Sequence, residues 1–329
     1  MPKIGIDASP LTRPNYTGTE WSLWNIITGL SKNPLHKEFN WNLYIPNKRI
    51  TKKLFLPENW HIKILYSPVS RFWISGRLAL EMILNKPDIL FVPANSLPPI
   101  GGKKSITIIH DIGFIPHPEF YSEKERRALT TALKRAIKIA NHIITPSAFT
   151  ASELQKFMNV SKEQITVIPL GVDKNSFYNS SLASDEIINK NPYVLFVGRI
   201  SLKKNLITLI KALKLVNAKR FLNAIFIGPM GFGGKEIVKS ISEENLQNKI
   251  QVMPWQEEDV LKKYISNAEA LILPSWYEGF GLTILEAQTL NTPVICSDIP
   301  PLEETAGSGA LFFSPGSPRE LANAIETIL

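Results

Sequence analysis

At 329 residues, 44% hydrophobic and 20% charged, the chain has the composition of a soluble globular protein and room for two domains with cores of their own. No apolar run approaches the roughly 18–20 residues of a membrane span, and Met1-Pro2-Lys3-Ile4-Gly5-Ile6-Asp7 reads as a strand start rather than a signal peptide, so a cytoplasmic location is expected. The lone Cys296, in the apolar run Val294-Ile295-Cys296, excludes an intrachain disulfide and reads as a packed thiol, while the net charge of +8 calls for an acidic partner: anionic lipid, a phosphorylated substrate or nucleic acid.

Apolar strand-like runs alternate with helical patterns along the chain, the signature of parallel α/β units. In the first half the runs cover residues 3–7, 41–45, 62–65, 89–92, 106–109, 143–145 and 165–168. In the second half they cover 193–197, 224–227, 250–253, 270–273, 293–297 and 310–313. Asp173 to Asn191 is polar, rich in Asn and Ser, and has no strand run. The expected organisation is two Rossmann-like, doubly wound parallel-sheet domains, 1–182 and 192–329, joined by a linker at 183–191 and facing across a cleft.

Open parallel sheets bind ligands beyond the carboxyl ends of their strands. In the first half those places carry Gly18, Asn95, His110-Asp111, Ser147 and Gly171. In the second they carry Gly198-Arg199, Gly228, Pro254-Trp255, Glu278 and Asp298.

Two stretches concentrate the basic charge. Residues 122–140 place Leu129, Ala132, Leu133, Ala136, Ile137 and Ala140 on one helical face, with Arg127, Lys134, Arg135 and Lys138 on another. That pattern suits first a solvated helix packed on its sheet, and second a contact with an anionic membrane surface. The second stretch adds Lys48, Arg49, Lys52 and Lys53, and Arg71-Phe72-Trp73-Ile74 joins a cation to aromatics that face an acceptor, a lipid or the core.

Pro274 to Thr289 is the most informative stretch. An apolar run, Ala270-Leu271-Ile272-Leu273, is followed by Tyr277-Glu278-Gly279-Phe280-Gly281 and then by the helical segment Leu282-Thr283-Ile284-Leu285-Glu286-Ala287. A strand, a glycine loop and a helix start together favour an anion, because free backbone N–H groups converge there and the helix dipole adds to them. Carboxylates beside an anion would repel it, so Glu278 and Glu286 are expected to face hydroxyl groups. A sugar nucleotide has a phosphate centre and hydroxyls at both ends. Gly198-Arg199, at the end of residues 193–197, and Lys204, five residues on, supply two cations for a diphosphate.

These residues resemble the retaining nucleotide-sugar glycosyltransferases of the GT-B architecture, glycosyltransferase family four, and in particular its bacterial polysaccharide mannosyltransferases. The matching positions are Gly198-Arg199 with Lys204-Asn205, Glu278-Gly279-Phe280-Gly281-Leu282 with Glu286-Ala287, Thr145-Pro146-Ser147 with Ser152-Glu153-Leu154, Val167 to Asp173, and His110-Asp111. Seven residues separate the two glutamates, the family's Glu-x7-Glu spacing. The resemblance implies that Glu286 accepts hydrogen bonds from ribose hydroxyls, that Glu278 and Gly279 to Leu282 hold the transferred sugar, and that Thr283 lies near the phosphates. It further implies that Arg199 and Lys204 bind the diphosphate, that His110 sits beside the sugar, and that Gly18 lies near phosphate or acceptor. Trp255 and Gly228 fall where the base is held.

The resemblance thus implies an N-terminal acceptor-side domain and a C-terminal nucleotide-sugar domain. The implied reaction moves a hexose, mannose from GDP-mannose first, to a glycan or lipid-linked acceptor on the cytosolic face of the inner membrane. A UDP-sugar donor and a non-catalytic sugar-nucleotide-binding protein are the competing readings. No cofactor beyond this co-substrate is implied, and no metal: there is no Asp-x-Asp or His cluster, and the two cations take its usual role. No Gly-x-Gly-x-x-Gly follows the first strand, which argues against a nicotinamide enzyme, and no nucleic-acid module is recognisable. Two departures from the family stand out. The first loop, Asn15 to Glu20, has one glycine where relatives have two, and Leu329 falls inside an apolar-periodic helix where relatives continue with a crossover helix, which predicts a shortened chain.

Overall fold

The computed structural model describes residues 1–13, 16, 18–47, 50, 54–69, 72–173 and 191–329. Apart from Asn191, the expected linker lies outside them, as do Asn15, Arg71 and the basic residues Lys48, Arg49, Lys52 and Lys53. The chain forms two compact units, one of residues 1–116 with 123–171, the other of residues 117–122 with 172–329.

The first unit carries a parallel sheet of seven strands: β1 (Lys3–Asp7), β2 (Asn40–Ile45), β3 (Trp60–Ile64), β4 (Ile89–Val92), β5 (Lys104–Ile108), β6 (His142–Thr145) and β7 (Ile165–Val167). Their order in the sheet is β3-β2-β1-β4-β5-β6-β7. The second unit holds six: β8 (Tyr193–Val197), β9 (Asn223–Ile227), β10 (Ile250–Met253), β11 (Ala270–Leu273), β12 (Val294–Ser297) and β13 (Leu311–Phe313), ordered β10-β9-β8-β11-β12-β13. Between the strands run α1 (Gly18–Lys32), α2 (Ala79–Leu84), α3 (Glu123–Ile139), α4 (Ala148–Met158), α5 (Leu206–Asn217), α6 (Gly234–Glu243), α7 (Glu258–Ser266), α8 (Leu282–Thr289), α9 (Pro300–Ala306) and α10 (Pro318–Ile328).

Each of the strand-like runs read from the sequence overlaps a strand, and both sheets are parallel throughout. The reason is burial on both faces. All of β8, β11 and β12 is buried, so these central strands need apolar residues at consecutive positions rather than at alternate ones. The edge strand β3 differs: Ile62 and Ile64 are exposed, and pairing with β2 starts at Trp60, whose ring stacks on Trp41 with centroids 4.4 Å apart. Cys296 lies within β12 with no exposed surface, and burial pushes its thiol up to about 12. That is the packed, inert thiol expected from the sequence.

The order of strands along the chain reverses between β1 and β4 in the first sheet and between β8 and β11 in the second. Crevices at such switch points are where doubly wound sheets hold ligands. On α3, Leu133 and Ala136 are buried, as is Ala140 just past its end, while Arg127, Lys134 and Lys138 are exposed, and Arg135 donates from Nη1 to Ser75 Oγ at 2.7 Å. Trp73 belongs to the core. It is 4% exposed, and its Nε1 donates to Asp7 Oδ1 at 2.9 Å, while the neighbouring Phe72 is exposed. No described helix is long and apolar enough to cross a membrane.

Candidate active site

In the second unit the switch point is built from the loops after β8, β9 and β11. The first two are zipped together by backbone bonds: Gly198 N–H to Ile227 O at 2.9 Å, Ile200 N–H to Pro229 O at 2.9 Å and Gly231 N–H to Ile200 O at 2.8 Å. This close approach explains Gly228. It has φ +151°, and a Cβ there would stand 2.0 Å from the Gly198 carbonyl oxygen. Gly228 therefore serves the packing of these loops. Arg199 is exposed, and its stem lies over Gly231, where a Cβ would meet its Cγ and Cδ at 2.7 Å.

Lys204 ends the short 3-10 turn Leu202–Lys204 and turns toward β11, where its Nζ forms an ion pair with Glu278 Oε1. The same oxygen accepts a hydrogen bond from Ser275 Oγ at 2.7 Å. Ser275 and Glu278 are both buried. Glu278 Oε2 has no partner among the described residues and remains an acceptor for a hydroxyl donor. Trp276 N–H donates to Lys203 O at 2.9 Å, which ties the β8 and β11 loops to each other. Residues 117–122, part of the first domain as read from the sequence, pack here with the second unit: the His117 ring lies 5.4 Å from that of Tyr277 and stacks on Phe120. Lys203 Nζ stands 5.7 Å from the Tyr277 ring centre and 5.9 Å from that of Tyr121.

Beyond Glu278 the chain runs through buried Gly279 and Phe280 to Gly281, which caps α8 with φ +100°. A Cβ at Gly281 would sit 2.7 Å from Leu302 Cδ2, so a left-handed, side-chain-free residue is needed where the chain turns into the helix. No side chain caps this end and no acidic residue lies in its first turn, Leu282 and Thr283 included. The end therefore keeps the positive character of a helix N-terminus. Phe280 O is held by Thr305 Oγ1 at 2.6 Å, which fixes the approach to the helix.

Glu286 stands one turn further along α8, half-buried. Burial, with help from Glu258 on α7 and against the pull of Lys262, pushes its carboxyl up to about 7. Trp255, in the loop before α7, is half-buried against the domain core. The structure thus brings Gly198, Lys204 and Glu278 into one cluster, with Arg199 and Gly228 on the adjoining loops. The first turn of α8 leads from there to a second cluster of Glu286, Glu258 and Lys262.

His110 and Gly18 belong to the first unit. His110 follows β5; its N–H donates to Asn95 Oδ1 at 2.8 Å and its Nε2 donates to Pro93 O at 3.2 Å. That bond keeps the proton on Nε2 and leaves Nδ1 as an acceptor. Desolvation holds the ring below the usual histidine range, hence neutral at pH 7. Asp111 Oδ1 accepts from Gly113 N–H at 3.1 Å, so one carboxylate oxygen shapes the turn. Gly18 opens α1, and a Cβ there would meet nothing within 4 Å. Ser275 and the Glu258–Lys262 pair escaped the sequence reading. The pair has a visible signal, a glutamate four residues before a lysine at the start of a helical pattern.

Residues 180–329 match the family described as glycosyl transferases group 1, and residues 38–176 match Glycosyltransferase Family 4. Together these two glycosyltransferase models take in most of the chain, one over each half. It is similar to O-antigen chain mannosyltransferase B of Escherichia coli, with 25% identity over 69% of this chain and 62% of the relative. It is also similar to O-antigen chain mannosyltransferase RfbU of Salmonella typhimurium, with 28% identity over 79% of this chain and 69% of the relative. The chain therefore spans about two thirds of these relatives. The crystal structure of Anabaena HepE in complex with UDP-glucose superposes with a TM-score of 0.69 at 20% identity, covering 99% of this chain and 89% of that one. At that identity the likeness bears on fold, which is GT-B with two Rossmann-like domains.

Proposed function

We propose that this glycosyltransferase moves a hexose, mannose from GDP-mannose, to a glycan or lipid-linked acceptor in cell-surface polysaccharide synthesis, with retention at the anomeric carbon. The observation that carries the reading is the Lys204–Glu278 pair at the β8/β11 switch point, beside a helix N-terminus begun by Gly281. The names of the two O-antigen mannosyltransferases support mannose as the sugar.

In this reading the diphosphate lies against the first turn of α8, where Leu282 and Thr283 present backbone N–H groups. Arg199 and Lys204 neutralise the charge that grows on it as the bond to the sugar breaks, so a metal ion is not required for that step. Glu278 Oε2 accepts a hydroxyl of the transferred sugar, and Glu286 accepts the ribose hydroxyls. The acceptor hydroxyl attacks from the face the diphosphate leaves, and a phosphate oxygen takes its proton. His110 is assigned to a substrate hydroxyl through Nδ1. Residues 1–182 and 192–329 form the acceptor-side and donor domains, joined at 183–191.

A UDP-sugar donor is the second reading, favoured by HepE, which is similar in fold and holds UDP-glucose. A thermal-shift panel of GDP- and UDP-sugars, followed by anomeric analysis of any product by NMR, separates the two. GDP-mannose is expected to raise the melting temperature most, and the product to keep the donor's anomeric configuration. Stabilisation by UDP-sugars alone would reassign the donor. An inverted product would overturn the same-face mechanism, and binding with neither transfer nor hydrolysis would favour a non-catalytic protein.

The exposed cations of α3 suit an anionic leaflet at the cytosolic face of the inner membrane. Flotation with vesicles containing phosphatidylglycerol is expected to carry the protein at low salt and release it at high salt. Absence of binding at low salt would remove the membrane from this proposal.

A further inference from the structure

The short 3-10 turn Leu202–Lys204 carries two consecutive lysines that go to different places. Three residues per turn set neighbouring side chains about 120° apart, so each finds its own partner. Lys204 turns to Glu278. Lys203 turns to aromatic rings, with its Nζ 5.7 Å from the ring centre of Tyr277 and 5.9 Å from that of Tyr121. Both distances lie within the reach at which a ring face attracts an ammonium.

These contacts set a register between two loops that lie side by side. Trp276 N–H donates to Lys203 O at 2.9 Å, Lys203 Nζ stands over the Tyr277 ring, and Lys204 Nζ is paired with Glu278. Residues 203 and 204 thus meet residues 276, 277 and 278 in order. Tyr277 is 3% exposed, and the His117 ring, stacked on Phe120, closes on it at 5.4 Å. Residues 117–122, which precede α3 in the chain, therefore bring two rings, His117 and Tyr121, to this junction.

We infer that Lys203 is a positioning residue for the transferred sugar: held by the rings of Tyr121 and Tyr277, it fixes the register of the two loops so that Glu278 presents its second carboxylate oxygen to a sugar hydroxyl. This rests on the reading of Glu278 as the sugar's acceptor. Lys204 and Ser275 both bind Oε1, so the direction of Oε2 follows from where the loop places the Glu278 backbone. A hydrogen bond to a carboxylate is strong but narrow in geometry. A displaced loop loses it, while the diphosphate keeps the first turn of α8 and the cations assigned to it.

The test is calorimetric titration of the full chain with GDP-mannose, GDP, UDP-glucose and UDP. The quantity read is the affinity for a sugar nucleotide divided by that for the same nucleotide without its sugar. Lys203→Met is expected to lower this ratio about tenfold and to leave the affinity for the bare nucleotide at its wild-type value. Tyr121→Leu lowers the ratio in the same direction, and it carries the test if Lys203→Met does not fold. Lys203→Arg and Tyr121→Phe keep a cation and a ring, and with them the wild-type ratio. Equal loss for both ligands would put Lys203 on the diphosphate or in the fold alone, and overturn the inference. An unchanged ratio in Lys203→Met would overturn it too, leaving the ring contacts without a part in the site. Glu278→Gln separates the two levels. A lowered ratio in that variant supports the reading of Glu278, and adding Lys203→Met should then lower it no further, because Lys203 acts through Glu278. Additive losses would overturn the inference and leave that reading standing. An unchanged ratio in Glu278→Gln, or no binding of either sugar nucleotide to the wild type, would overturn the reading of Glu278 itself.

Discussion

Lys204→Met is expected to lower turnover about 10²–10³-fold and, in the same variant, to destabilise the second domain by about 3 kcal/mol. The two effects have different origins. Lys204 has 17% of its side chain exposed and Glu278 has 9%, so their ion pair is largely out of water. Removing the cation leaves Glu278 buried with only the Ser275 hydroxyl for compensation, and an unpaired buried carboxylate costs far more than the intact pair contributes. The loss in turnover comes instead from the missing charge at the departing diphosphate. The double variant Lys204→Met/Glu278→Gln separates them, since it buries no net charge and should recover most of the stability while turnover stays low. Arg199→Ala is the complementary control: the side chain is exposed, so turnover should fall by roughly 10²–10³-fold with little change in the unfolding midpoint. Urea unfolding and initial rates on the four proteins are sufficient. A Lys204→Met enzyme that is destabilised but turns over normally would confine Lys204 to the fold, and near-normal turnover of Arg199→Ala would remove Arg199 from the mechanism.

Glu286→Gln should make the protein more stable and worse at binding its donor. The Glu286 carboxyl titrates near 7 in the fold, against 4.5 for an ordinary glutamate. Between those values the folded chain holds a proton that the unfolded chain has released. Stability therefore falls as pH rises from about 4.5 to about 7, and above 7 the full cost of burying the charge is present. Glutamine carries no such cost, so a gain of about 1–3 kcal/mol is expected at pH 8, vanishing below pH 4.5 where both forms are neutral. The same change should weaken donor binding about tenfold or more, because an amide offers one acceptor where the carboxylate offers two. Unfolding at pH 5 and pH 8, with donor affinity at pH 8, checks both halves. Equal stability of the two proteins at pH 8 would mean that Glu286 is solvated and ordinary.

These expectations divide along the line between local and long-range information. The strands were legible because β8, β11 and β12 are buried on both faces, and continuous apolar runs are a local mark that needs no partner to be seen. The glycine loop before α8 was legible for a similar reason: Gly281 must adopt a conformation that side chains resist, and Glu-x7-Glu is a spacing along one segment. The edges were less legible. β3 begins two residues before its apolar run, because its pairing with β2 and the Trp41–Trp60 stack extend it into residues without a strand pattern. Trp73 had an open assignment, as its partner Asp7 lies 66 residues away.

The sequence by itself determined the alternation of strands and helices, the two parallel sheets, the helix N-terminus after Gly281 and the residue types gathered around it, since each follows from patterns within about twenty residues. The tertiary structure alone decided who meets whom. The order β10-β9-β8-β11-β12-β13 brings Lys204 against Glu278 across 74 residues of chain. The packing of the domain turns the surface-type pair Glu258–Lys262 into one with a buried lysine. The Pro93 carbonyl fixes which nitrogen of His110 is left to accept. Sheet order and helix packing are set by the sum of many apolar contacts over the whole domain, so no short window of sequence contains them.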